Sequence, residues 1–178
     1  MKKIFFSISV LAFIGLALTS CKKPVTINID ATSADIIVVT DTTSQTGDHT
    51  FQAMNVSCNI DSILTASGVS SVADFKSATL KSADITITDP STQLFDPIDA
   101  INGWFSIGSA SGTQIFGMNP VPNGVNTLSV PGGTVDITSF LKAKTFSFTV
   151  KGTLSAPITQ PVTMHIKLHY SLQAQKTL

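Results

Sequence analysis

The chain has 178 residues, with 11 lysines and no arginine, 11 aspartates and no glutamate, so its formal charge is zero and only 12% of it is charged. Without a guanidinium there is no planar fork for phosphate, carboxylate or guanine, and without a basic surplus there is no electrostatic footprint, so nucleic acid is excluded as a partner. A hydrophobic content of 43% argues against disorder and for one domain with a packed core.

The first element is a leader. Met1-Lys2-Lys3 is cationic, residues 4–18 are mostly apolar, and small residues precede Cys21, which are the parts of a secretory signal. The apolar run is shorter than the roughly 20 residues of a spanning helix and includes Ser7, Ser9 and Gly15. Leu18-Thr19-Ser20-Cys21 resembles the lipobox of a bacterial lipoprotein signal peptide. The resemblance implies that residues 1–20 are cleaved and that Cys21 is lipidated, with palmitate-like chains anchoring the protein to membrane lipid. Each buried methylene adds about 0.8 kcal/mol, so several chains hold where one does not. Residues 21–24 then form a tether, and the three residues after Cys21 reach at most about 10 Å. Lys22 and Lys23 would face lipid headgroups, each adding about 1 kcal/mol if these are anionic.

Most of the remaining elements are predicted strands. Residues 25–30 set Ile27 and Ile29 against Thr26 and Asn28. Residues 34–40 are a continuous β-branched run, which reads as a strand buried on both faces. After a polar turn at 42–48, residues 49–58 form a strand with Phe51, Ala53 and Val56 inward. Residues 61–68 read as a short helix with Asp61 as its cap and Gly68 as its end, and 71–75 as a further turn. Residues 78–89 alternate Ala83, Ile85 and Ile87 with polar residues. Residues 101–109 set Ile101, Gly103, Phe105 and Ile107 against Asn102, Trp104 and Ser106. Strands at 113–118 and 125–130 follow, then the turn Pro131-Gly132-Gly133 and a helical turn capped by Asp136. Residues 145–153 and 162–174 close the chain as strands. These features predict an all-β fold: one antiparallel β-sandwich, Ig-like or jelly-roll-like, of eight or nine strands over residues 25–178. The layout resembles small lipoproteins of the Bacteroidota kind, a likeness that implies no activity.

Several residue groups invite a chemical reading. His165 and His169 lie in a predicted strand, so the four residues between them span about 13 Å, too far for two ligands at about 2.0–2.1 Å from one zinc ion. Asp89, Asp96 and Asp99 supply hard oxygens for calcium but match no EF-hand spacing. Gly108-Ser109-Ala110-Ser111-Gly112 puts alanine where a nucleophile elbow needs serine. Cys58, without a partner if Cys21 is lipidated, reads as a small buried apolar residue. Asp41-Thr42-Thr43 and Asp61-Ser62-Ile63 resemble the O-glycosylation acceptor of Bacteroidota, with Thr42 and Ser62 as acceptors. Trp104, the one tryptophan, is the candidate ligand-binding residue: on an exposed sheet face it would be a platform for a sugar ring.

These readings lead to a lipid-anchored envelope lipoprotein, a non-catalytic binding or structural module with no cofactor and no bound metal. The alternative is a glycan-binding accessory lipoprotein that uses the sheet face around Trp104. Its partners are membrane lipid through Cys21 and a protein or glycan of the envelope. The expected location is the outer membrane, on the periplasmic side, because Lys22-Lys23 stand where the surface-export tag of such lipoproteins is acidic.

Overall fold

Alternation dominates the chain because successive strand side chains point to opposite faces of a sheet. The computed structural model describes residues 23–177, and among these the alternating segments form nine strands. They are β1 (Pro24–Thr32), β2 (Ile36–Thr40), β3 (Gly47–Ser57), β4 (Phe75–Asp89), β5 (Ile98–Ser106), β6 (Thr113–Met118), β7 (Thr127–Pro131), β8 (Thr145–Leu154) and β9 (Val162–Thr177), with helices α1 (Ile60–Ala66) and α2 (Thr138–Ala143). The predicted leader, residues 1–20, and Cys21 lie outside the described residues.

One sheet has the order β1-β9-β4-β7, with β2 also on β9, and the other the order β3-β8-β5-β6. β1 pairs with residues 169–177 of β9 and β2 with residues 162–166, while β4 holds the opposite edge of β9. β1 and β2 are therefore one edge strand interrupted at residues 33–35. Counted as one, they give eight strands whose order in the two sheets is that of a jelly roll, so the all-β sandwich expectation is met and its Ig-like variant is not.

The core lies between the sheets. Ala83, Ile85 and Ile87 of β4 in one sheet and Phe146, Phe148 and Val150 of β8 in the other are all buried in a single core cluster, as the alternation requires. Phe105 is 0% exposed, with ring centroids 4.3 Å from Phe146, 5.5 Å from Phe140 and 5.7 Å from Phe148.

Several expectations need correction. Residues 34–40 are not buried on both faces: Ile37 and Val39 are 50% and 46% exposed, because in a two-layer sandwich only the inner face of the sheet that holds β2 is covered. Ala53 is exposed, and Met54 and Val56 take the inward positions, because a bulge between Thr50 and Gln52 shifts the phase of β3 by one residue. Ile107 falls beyond the end of β5 and is exposed. The cap of α1 is Asn59, whose side chain accepts from the Ser62 amide at 3.1 Å, while Asp61 sits in the first turn. Gly68, at φ +75°, ends that helix as expected.

Asp136 stands one residue before the N-cap of α2, which is Ile137 and not Asp136, and from there accepts from the Thr138 amide at 2.8 Å and from the Thr138 hydroxyl. Thr138 Oγ1 in turn accepts from the Ala78 amide of β4 at 2.8 Å. These bonds from Thr138 keep the Asp136 carboxyl below its ordinary range. A carboxylate with a depressed folded-state pKa adds stability above its unfolded pKa, about 3.9, and that stability is lost as pH falls through the folded value. Asp136→Asn should therefore lower the unfolding midpoint at neutral pH, and the gap to the native chain should close in melts run from roughly pH 5 down to pH 2. A gap that stays constant over that range would sink the assignment.

Candidate functional site

Trp104 owes its position to its neighbours. Phe105 is locked in the core, so the period of two turns Trp104 to the outer face of the four-stranded sheet. A bulge opposite Gly103 and Trp104 lets Ile115 and Phe116 of β6 both face inward and re-aims the strand at the tryptophan. Gly103 is required there: a Cβ would stand 2.2 Å from the Phe116 ring.

Around Trp104 the outer face forms a depression of about 330 Å³, lined by Asp48 and Thr50 of β3, Lys151 and Thr153 of β8, and Asn102 of β5. The strand pairing sets this order: Lys151 stands between Thr50 on one flank and Asn102 on the other, and Asp48 pairs with Thr153. The Lys151 ammonium lies over the indole, 5.2 Å from the ring centroid, within cation–π range. Asp48 accepts from the Thr153 hydroxyl at 2.7 Å, and Asn102 accepts from Gln114 at 3.0 Å. Trp104 is half-buried rather than open, and its Nε1–H is buried with no hydrogen-bond partner among the described residues. The depression thus holds an aromatic face, an ammonium and several hydrogen-bonding groups, a combination suited to a polar ring with apolar C–H faces. No sequence signal tied Lys151 to Trp104; only the pairing of β5 with β8 does.

A larger groove, about 510 Å³, opens where the β1–β2 interruption faces β3 and α1. Met54, Val56, Cys58 and Tyr170 line it with Ser33 and Asp35. Burial pushes the Cys58 thiol and the Tyr170 phenol upward, the phenol also through the neighbouring Cys58. A thiol held protonated is a poor nucleophile, so Cys58 belongs to the groove wall.

His165 and His169 are not brought together. His165 Nδ1 lies 3.1 Å from Asp35, and His169 Nε2 lies 3.0 Å from Asp84. Thr32 Oγ1 is 3.0 Å from His169 Nδ1 and Ser129 donates to Asp84 at 2.8 Å, so one polar row crosses β1, β9, β4 and β7. Its partners come from four of the five strands of the sheet, which gives it a stapling role. Among the described residues no three His, Cys or Asp side chains form a metal-binding group, Asp89, Asp96 and Asp99 included; Asp96 accepts from the Gly124 amide at 2.6 Å. Thr42 and Ser62 are exposed. No helix among the described residues is long and apolar enough to cross a membrane.

No family model matches the chain, and no curated protein matches it. Solved structures similar to it include the decameric BFDV capsid protein, 14% identical over 85% of this chain and 99% of that chain, with a TM-score of 0.34. Its 60-mer form is 12% identical over 88% and 95%, with a TM-score of 0.33. Desmodium yellow mottle tymovirus is 16% identical over 99% and 97%, with a TM-score of 0.27. The fold assignment rests on the strand pairing, and nothing about capsids transfers to this chain.

Proposed function

We propose that this chain is a lipid-anchored protein of the bacterial cell envelope, held to the outer membrane on its periplasmic side and acting as a non-catalytic binding or structural module. The observation that carries this reading is the start of β1: Pro24, three residues after Cys21, is already paired with Thr177. A folded domain that begins so close to a lipobox-like cysteine has almost no linker, which suits a module working at the membrane surface rather than one reaching for distant partners. Mass spectrometry of the protein from native membranes should show an N-terminal peptide that begins at Cys21 and carries lipid, and Cys21→Ser should move the protein out of the membrane fraction. An unmodified Cys21 in that fraction would overturn the reading.

A second reading, a glycan-binding accessory lipoprotein, is favoured by the depression at Trp104, where an aromatic face lies among side chains that hydrogen-bond hydroxyls. Such a mix of one apolar surface and a few placed polar groups is how small-molecule sites obtain both affinity and orientation.

A further inference from the structure

Lys151 occupies the place above Trp104 that a sugar ring would need. Its ammonium has no carboxylate within salt-bridge distance among the described residues, as is true of several other lysines, but only Lys151 lies over the tryptophan. The other charged group of the depression, Asp48, lies on β3, across β8 from Trp104, and is engaged by the Thr153 hydroxyl. Approach from the Trp104 side therefore meets the cation first.

We propose that the Trp104 depression selects acidic saccharides, with Lys151 as the residue that sets the selectivity. This rests on the glycan reading of the same site. A uronate carboxylate approaching over β5 gives the ammonium an ionic partner and draws it off the indole. The face that it leaves is then free for the C–H surface of the sugar ring, and the neighbouring Asn102 and Thr50 meet ring hydroxyls. A neutral sugar must displace the same ammonium with nothing to receive it. Lys151 thus penalises neutral ligands and rewards acidic ones, so selectivity comes from both arms of one side chain. Ion pairing at an exposed site is screened by salt, which makes the preference strongest at low ionic strength.

The test uses matched probes: uronic acid trisaccharides (galacturonate, glucuronate and mannuronate) and their methyl esters, which keep the ring and lose the charge. Emission from Trp104, the chain's only tryptophan, is titrated with each in the full lipidated chain in detergent. The acids should bind at least about fivefold more tightly than the esters in roughly 20 mM salt, and the advantage should shrink at roughly 300 mM. In Lys151→Ala the acids and the esters should bind alike, the acids more weakly and the esters more tightly than in the native chain. Lys151 is exposed, so the variant should keep the native melting temperature, which is checked alongside. Equal binding of acids and esters by the native chain, or an acid preference that survives Lys151→Ala, overturns the inference and leaves the glycan reading standing. No response to any acid or ester overturns both.

Discussion

Phe105→Ala is expected to cost the domain about 3–5 kcal/mol, the range for removing a fully buried aromatic ring from a core that cannot collapse around the gap. The site meets that condition. Phe105 is 0% exposed and touches rings from two further elements, Phe140 of α2 and Phe146 and Phe148 of β8. Backbone pairing holds β5 on both edges, to β8 and to β6, so the strand cannot move inward to fill the space. Against a typical stability of about 5–15 kcal/mol this removes a large share. Urea unfolding followed by Trp104 emission measures it directly, since the reporter is the adjacent residue. A loss below about 1 kcal/mol would mean that the aromatic cluster is not the keystone that its geometry implies.

Long-range pairing explains why the sandwich was legible in the sequence and the site was not. Residues 83–87, 146–150 and 166–172 alternate cleanly because each lies in a strand with one buried face, and such a face imposes the period of two over its whole length. The departures come where neighbours rather than local pattern decide. Ala53 and Val56 cannot both face inward on a regular strand, and the bulge at Thr50–Gln52 resolves the conflict in favour of Met54 and Val56. The β-branched run at 34–40 looks like a strand covered on both faces, yet the sandwich covers only the inner face of its sheet, so Ile37 and Val39, half of its apolar side chains, stay outside. Composition alone does not reveal that the second face has no layer over it.

The site shows the same division. Trp104 was legible as an outward residue because Phe105 and Ile101 fix the phase around it, but Lys151 is 47 positions further along the chain, and no local pattern announces their contact. The polar row from Thr32 through His169 and Asp84 to Ser129 was hidden for the same reason: each member is an ordinary outward residue of a different strand. His165 and His169 were correctly kept apart by strand rise, and what they hold instead, Asp35 and Asp84, depended on sheet order.

Gly132→Ala is expected to destabilise by about 3 kcal/mol, the upper part of the overpacking range, because the obstacle is backbone rather than a movable side chain. A Cβ at that position would stand 2.0 Å from the Leu80 carbonyl oxygen and 2.5 Å from its carbon. The sequence marks Pro131-Gly132-Gly133 as a turn, but in the fold it is a seam. The Gly132 amide donates to Lys81 of β4 at 2.8 Å, and the Gly133 amide donates to Ile115 of β6 at 2.9 Å, so two consecutive residues bind one sheet each. On the opposite side of the sandwich the two sheets are also linked, through Gln52 of β3 accepting from the Val39 amide of β2 at 2.8 Å. A methyl group at Gly132 must push β4 away from this seam, and the loss should reach β4 and β6 together. Hydrogen exchange in the variant would then be faster at the amides of positions 132 and 133, while the amides pairing β3 with β8 stay protected. Normal stability in Gly132→Ala, or a loss confined to β7, would show that the seam can open without the sheets parting.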